Sequence, residues 1–281
     1  MFTIIPAYSC EISYRSDTFT NLVKVSQLTM RSGNKQLMGL SFRYNERTKY
    51  TSSLQMHFTF KHHRLPVMAL AMITSLIMTA QERKLPSPSF SGGMPMNEVV
   101  AKRHSIREFD RSREIADSTL GQLLWMTAGV NRPEAAPGRF GVAANRSNPT
   151  ALNRQEIRLY VFDKDGVWEY QPASHSLSLA KEGDHRKLIA GTEAFAQDFV
   201  LDAPVSVVFV ADMTGLPEGE QTTAMALVDA GIACENLNLA CVSEGLATVP
   251  RATMDSAAIA ALLVLTGRQL PVMNNPIGYE R

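Results

Sequence analysis

The chain is predicted to fold as an α+β domain, a sheet flanked by helices, on three observations. Residues 156–170 alternate in character around an Asp165-Gly166 turn and read as a β-hairpin. Val205, Val207, Val208, Phe209 and Val210 form a nearly continuous apolar run, suited to a central strand covered on both faces. A long helical pattern runs from about residue 222 to 244. Helices and strands are interspersed without strict βαβ alternation, which favours α+β over α/β.

Composition sets the outer limits. The chain has 281 residues, 45% hydrophobic and 20% charged, enough for one globular domain with a sizeable core and unlike a disordered polymer. The first 80 residues carry nine Lys and Arg against three acids, and the remaining 201 carry nineteen against twenty-four. The larger part is mildly acidic, so a nucleic-acid partner is not expected. Cys234 and Cys241 lie seven apart on one helix, roughly 10 Å along its axis, too far for a disulfide. With Cys10 as the third cysteine and scattered histidines, neither a disulfide scaffold nor a zinc spacing is present.

The N-terminal organisation follows from one apolar segment. Residues 65–80 carry no charge and follow Lys61, His62, His63 and Arg64, the layout of a secretory signal, with Ala80 before Gln81 and Glu82 as a cleavage point. Its 16 residues fall short of the roughly 20 that span a bilayer, so no stable membrane span is expected. An uncleaved anchor or a buried helix is the alternative. Met56 would begin this signal, making 56–80 the signal peptide and 1–55, which show no sustained helical or strand period, a non-native or disordered extension. Export, to a periplasm, follows if the signal is real; otherwise the protein is cytoplasmic. Residues 81–95, with Pro86, Pro88, Gly92, Gly93 and Pro95, read as a linker into a domain over 96–281.

Within that domain, Met96, Val99, Val100 and Arg103 share a helix face, and residues 118–126 form a helix capped by Asp117 or Ser118. Leu177 and Leu179 suggest a strand after the hairpin, and Asp184 can cap a helix to about Asp198. On the long helix, Ala230, Ala233, Cys234, Leu237, Ala240 and Cys241 make a stripe of mostly small residues, and Met225, Val228, Ile232 and Leu239 a second apolar face. Such a helix lies at the centre of a large domain or packs on a partner subunit. Asp255 caps a short Ala-rich helix, and residues 270–273 form a final strand.

Three clusters could carry chemistry; phosphate-loop and serine-hydrolase motifs are missing. Arg103, Ser105 and Arg107 would project to one side of an extended segment with Ile106 behind, a cradle for an anion. The same letters also suit a solvated basic stretch continuing to Arg111 and Arg113. Residues 149–155, with Asn153 and Gln155, offer donors and acceptors to a heterocycle edge, or simply form a turn. Glu244, Gly245 and Leu246 close the long helix, where Gly245 is the expected stop and leaves room for a planar ligand.

In their order and spacing the segment Arg103-His104-Ser105-Ile106-Arg107-Glu108-Phe109, the segment Pro149-Thr150-Ala151-Leu152-Asn153-Arg154-Gln155, the Asp229-Ala230-Gly231 helix ending in Glu244-Gly245-Leu246, and Ile277-Gly278-Tyr279 resemble the FMN-dependent nitroreductase family over residues 94–279. The branch looks like the one related to azoline-oxidising dehydrogenases. The resemblance implies a central mixed sheet flanked by helices and an intertwined homodimer with a long central helix and two interfacial FMN sites. It places Arg103 and Ser105 on the phosphate and ribityl side, Arg107 at the pyrimidine edge, Thr150, Ala151 and Asn153 from the other subunit, and Glu244, Gly245 and Leu246 by the ring. Thr150 and Ala151 stand where serines are often found, and the C-terminal basic pair for the phosphate is reduced to Arg281, with Arg251 a weaker candidate.

The implied activity is two-electron transfer from NAD(P)H, or another donor, to a small-molecule acceptor such as a nitroaromatic, quinone or enone. The chemistry belongs to the flavin, so no protein acid–base pair is required. Alternatives are an azoline-type dehydrogenase acting on a modified peptide, or a flavin-binding protein without turnover.

Overall fold

The computed structural model describes residues 25–31, 37–43, 53–59, 81–134 and 144–281, in two units divided between Thr79 and Ala80. In the first unit, β1 (Val25–Arg31), β2 (Leu37–Arg43) and β3 (Ser53–Thr59) form an antiparallel sheet in that order. This departs from the expectation of a structureless extension over 1–55. Leu54, Met56 and Phe58 alternate with polar residues, but a boundary at Met56 cuts that run in two, so its period of two goes unread. The apolar segment at 65–80 lies outside the described residues.

The second unit is built on a seven-stranded sheet in the order β13-β14-β12-β7-β8-β9-β4. Its strands are β4 (Glu82–Lys84), β7 (Ile157–Phe162), β8 (Gly166–Gln171), β9 (Ser176–Glu182), β12 (Val205–Asp212), β13 (Ala247–Thr248) and β14 (Gln269–Gly278). Two short ribbons, β5 (Val130–Arg132) with β6 (Asn145–Arg146) and β10 (Gly191–Thr192) with β11 (Phe195–Ala196), stand apart from it. The mixed sheet of the family narrows here: every described pair in this single chain is antiparallel.

Alternation along the strands separates two layers of core. In β12, Val205, Val207, Phe209 and Ala211 face one layer while Val208 and Val210 face the other, the two-sided covering that its apolar run predicts. Each such burial contributes roughly 1.5–3 kcal/mol. Helices α1 (Met96–Lys102), α2 (Asp117–Ala128), α3 (Lys187–Ala190), α4 (Glu220–Ser243) and α5 (Ser256–Leu262) complete the unit. The first layer takes Leu120, Leu123 and Leu124 from α2 and the small-residue stripe of α4, every member of which is buried. The second takes Ile189 of α3 and Ile259 of α5, and the Asp255 carboxylate caps α5 by accepting from the Ala258 amide at 2.9 Å. Among the described residues α4 alone is long and apolar enough to cross a membrane, and half of that stretch is buried in the domain.

Three expectations are corrected. The linker over 81–95 begins with strand β4, paired to β9. Arg83 of β4 binds Asp163 at 3.1 Å and Asp117 at 3.0 Å. The second contact explains why Asp117 does not cap α2: its carboxylate is taken by Arg83, and the N-cap position falls to Ala116, with no side-chain bond. The helix expected from Asp184 to Asp198 is a single turn, α3. The Asp184 carboxylate is claimed by Arg186, and Gly191, at φ +140, turns the chain into β10 with an added Cβ blocked by the Phe195 backbone. A 3-10 turn at Asp198–Asp202 follows.

The 157–171 hairpin is organised by a side chain the sequence does not advertise. Asp163 Oδ1 accepts from the amides of Asp165 at 3.0 Å and Gly166 at 2.9 Å, and from Trp168 Nε1 at 3.1 Å. Asp163→Ala leaves those donors unpartnered and Arg83 with Asp117 alone, and should lower the unfolding free energy by about 3 kcal/mol, read as a reduced urea midpoint at unchanged slope.

Candidate functional site

Residues 103–108 run extended between α1 and the bridge that pairs Phe109 with Glu280. The Ile106 amide donates to the Thr248 carbonyl at 3.0 Å, the Asp110 amide to Tyr279 at 2.8 Å, and the Arg281 amide to Glu108 at 3.3 Å. Ile106 packs against Phe109, Ala203 and Ala247, while Ser105 and Arg107 are exposed and Arg103 is half-buried. Ile106 is thus the inward residue of the strap, while His104 and Glu108 are exposed along with Ser105 and Arg107.

The end of α4 meets this strap. Gly245 adopts φ +68, the left-handed conformation of a helix stop, with its amide donating to Val242 at 3.1 Å and that of Leu246 to Cys241 at 2.7 Å. Space around a Cβ at Gly245 is open. Leu246 is buried in the core, so only its backbone faces the strap, whereas Glu244 and Gly245 are exposed. Beneath them the Asn275 amide donates to Asn238 at 2.8 Å and to Thr248 Oγ1 at 3.0 Å, tying α4, β13 and β14 together. Arg103, Ser105, Arg107, residues 244–246 and Arg281 are thus gathered at the β13 edge of the sheet, Arg281 in an exposed ion pair with Glu108 at 3.7 Å.

The electrostatics of this edge are unbalanced. Arg103 and Arg107 make no ion pair among the described residues, in contrast to Arg83, Arg158, Arg186 and Arg268. Behind them lies Arg251, 7% exposed, whose guanidinium meets only neutral acceptors: Gln197 Oε1 at 2.9 Å, Ile189 O at 3.0 Å, Ala190 O at 3.2 Å and Asn274 Oδ1 at 2.8 Å. Burial, and then the charge of Arg107, push its pKa down to about 10. Two neighbouring guanidinium groups, Arg107 and Arg251, that are in no ion pair among the described residues favour the approach of an anion. Sequence reasoning ranks Arg251 low because its burial arises only when α3, β14 and residues 197–199 converge.

The other cluster sits elsewhere. Thr150 Oγ1 accepts from the Gln155 amide at 3.0 Å, Asn153 Nδ2 donates to Asn145 Oδ1 at 3.0 Å, and the Ala151 amide donates to Asp229 Oδ2 at 2.8 Å. Asp229 lies in the first half of α4, fifteen residues before Glu244, or roughly 22 Å along the helix axis. One chain therefore does not bring Thr150, Ala151 and Asn153 to the arginines. Asp229, named in the sequence only as part of the long-helix motif, is thus the residue that ties this turn to α4.

Thiol chemistry is not part of the site. Burial pushes Cys234 up to about 12 and Cys241 higher still, and neither is bonded to another cysteine. Among the described residues no cluster of His, Cys, Asp and Glu could hold a metal ion.

A fold of this layout, with a basic strap across the end of a long helix, defines an oxidoreductase of the nitroreductase type. The nitroreductase family profile matches residues 100–279, and the chain belongs to that family. A putative nitroreductase from Ralstonia eutropha JMP134 is 29% identical, with a TM-score of 0.62, over 73% of this chain and 92% of that one. A putative nitroreductase from Anabaena variabilis ATCC 29413 is 17% identical, with a TM-score of 0.57, over 73% of this chain and 42% of that one. A chain of the E. coli microcin synthetase McbBCD complex with truncated pro-MccB17 bound shares the fold at 16% identity and a TM-score of 0.51, over 79% of this chain and 85% of that one. No curated protein matches the chain.

Because Arg107 repels Arg251, Arg107→Ala should raise the melting temperature of the ligand-free protein at low salt, and the gain should shrink at high salt, as followed by scanning fluorimetry in the absence of phosphate.

Proposed function

We propose that the chain is an FMN-dependent oxidoreductase that works as a homodimer and passes two electrons from NAD(P)H, or another donor, to a small electron-poor acceptor such as a nitroaromatic, quinone or enone. The observation that supports this reading is the Arg107 charge beside the buried Arg251 guanidinium, which meets only neutral acceptors, at the sheet edge reached by the strap that carries Arg103. That donor set fits a phosphorylated ligand, and the open Gly245 fits a planar one. FMN, when bound, supplies the two-electron chemistry between donor and acceptor.

The chain's own groups bind and orient. Arg103 and Ser105 hold the phosphate and ribityl side with charge-assisted bonds, and Arg251 and Arg281 add positive potential behind them. Arg107 keeps a fixed cation at the pyrimidine edge, favouring the negative charge of the reduced form. Exposed Glu244 and the bare Gly245 line the ring, with the Leu246 backbone below them. Thr150, Ala151 and Asn153 reach the site from a second copy of the chain, a reading that the roughly 22 Å span along α4 within one chain supports.

The dimer reading is supported by apolar side chains left uncovered on two helices. Leu227 and Val228 of α4 are 50% and 55% exposed, and toward the other end of α4 Met96 and Val100 of α1 are 63% and 59% exposed. Exposed apolar side chains on more than one element favour an extended partner surface. The segment at 56–80 serves as an export signal in this reading, so that the domain works outside the cytoplasm; recovery of the native protein with residue 1 intact in the cytoplasmic fraction would refute it.

Titrating the full chain with FMN should give a bound flavin absorbance that bleaches under anaerobic NADH or NADPH and returns on adding a quinone or nitroaromatic. A protein that ignores FMN would refute the proposal. One that bleaches and is not reoxidised by any acceptor, an azoline-containing peptide included, would be a flavin-binding protein without turnover. Arg107→Ala should raise the FMN dissociation constant roughly 10- to 100-fold or lower the midpoint potential; if both stay unchanged, Arg107 is not in the site. Val228→Glu should yield a monomer by sedimentation that has lost its FMN.

A further inference from the structure

The turn over residues 150–155 is an improbable piece of backbone. Leu152, Asn153 and Gln155 adopt φ of +56, +54 and +55, a region that side chains with a Cβ avoid. Such a turn persists only where its surroundings over-determine it. One of its anchors is the Ala151 amide on Asp229 Oδ2. Asp229 is 3% exposed, and the carboxyl facing it belongs to Glu156, 5% exposed, the first residue after the turn. Neither Glu156 oxygen receives a hydrogen bond from a described donor.

Two buried carboxylates placed face to face cannot both stay ionised without a large cost, and a single proton between them turns the repulsion into a hydrogen bond. We propose that Glu156 and Asp229 share one proton, with Glu156 donating to Asp229, and that this pair positions the 150–155 turn so that Ala151 and Asn153 are presented to the flavin. The inference rests on the flavin reading of that turn. Glu156 and Asp229 are positioning residues, since neither is placed against the ligand.

The surroundings pull in both directions, and burial wins. Burial first, and the Asp229 carboxyl with it, push Glu156 up to about 7, against its own backbone amide and the Arg154 charge on the turn, which pull the other way. Arg146 of β6 stands beside the pair with its Nη1 on the Ile157 carbonyl at 3.0 Å, its own pKa pushed down to about 10 by burial, and Tyr170 of β8 lies near Arg146. A carboxyl raised in the folded state binds its proton more tightly there than in the unfolded chain. Its contribution to stability is therefore present at acid pH and lost as pH rises from about 4.5 to about 7, after which the profile is flat.

Two measurements on the full chain test this. The FMN dissociation constant of the wild type should rise about tenfold per pH unit above pH 7, the slope of a one-proton linkage, and Glu156→Gln should bind at all pH values as the wild type does at acid pH. In the ligand-free protein, the fall in melting temperature between about pH 4.5 and 7 should vanish in Glu156→Gln and move to lower pH in Asp229→Asn, which removes the second charge while keeping an acceptor for the Ala151 amide. A wild-type affinity independent of pH, or a slope that survives in Glu156→Gln, would overturn the proposal. A chain that never binds FMN, yet shows the Glu156-dependent melting profile, would overturn the link to flavin and the proposed function with it, while leaving the shared proton in place. Absence of both effects would remove the pair itself.

Discussion

Helix α4 lies close against the sheet because the residues between them are small. Ala230, Ala233, Ala240, Cys234 and Cys241 are all but inaccessible to solvent, and a larger side chain at any of them would push the helix off β12 and β14 at the expense of a packed interior. Everything functional hangs from this seam. The first half of α4 presents Asp229 to the 150–155 turn, and its far end delivers Gly245 to the strap of residues 103–108 through Thr248. The helix is in this sense a ruler: its 24 residues set the distance between the 150–155 turn and the strap.

The basic edge illustrates a trade between stability and binding. Arg83, Arg158, Arg186 and Arg268 answer a carboxylate, yet Arg103, Arg107 and Arg251 do not among the described residues, and Arg251 is buried among carbonyl and amide oxygens with a like charge as neighbour. A ligand-free domain holds this arrangement against its own repulsion. An anionic ligand relieves it, so binding free energy and folding free energy are coupled at this edge. The neutral Asn238–Asn275–Thr248 chain beneath has the complementary role, because its hydrogen bonds fix the backbone that presents the charges.

Local patterns in the sequence are a good guide where local physics decides the structure. The Asp165-Gly166 turn, the left-handed stop at Gly245, the buried stripe of α4 and the Asp255 cap all follow from periods and turn chemistry within a dozen residues. Features decided by distant partners are not legible. Asp117 has the letter of a helix cap, but an arginine from β4, 34 residues away, takes its carboxylate; Asp184 fails for a local reason, its carboxylate being held by Arg186 two residues on. Gly191 reads as one more small residue until its φ of +140 is known. The burial of Arg251 and the encounter of Glu156 with Asp229 depend on elements more than fifty residues apart in sequence, which no window of periodicity can join.

Strand β4 is three residues long and closes one edge of the sheet. Without it, the outer hydrogen-bonding groups of β9 would be open along a row of unpaired amides and carbonyls, the template on which sheets of different molecules join. Arg83, clamped by Asp117 and Asp163, is the rivet that keeps this cover in place. Any proteolytic trimming that reaches past Lys84 would therefore convert a well-behaved domain into one prone to stacking edge to edge, and the safe limit for shortening the polypeptide from its N-terminal side is set by this single arginine.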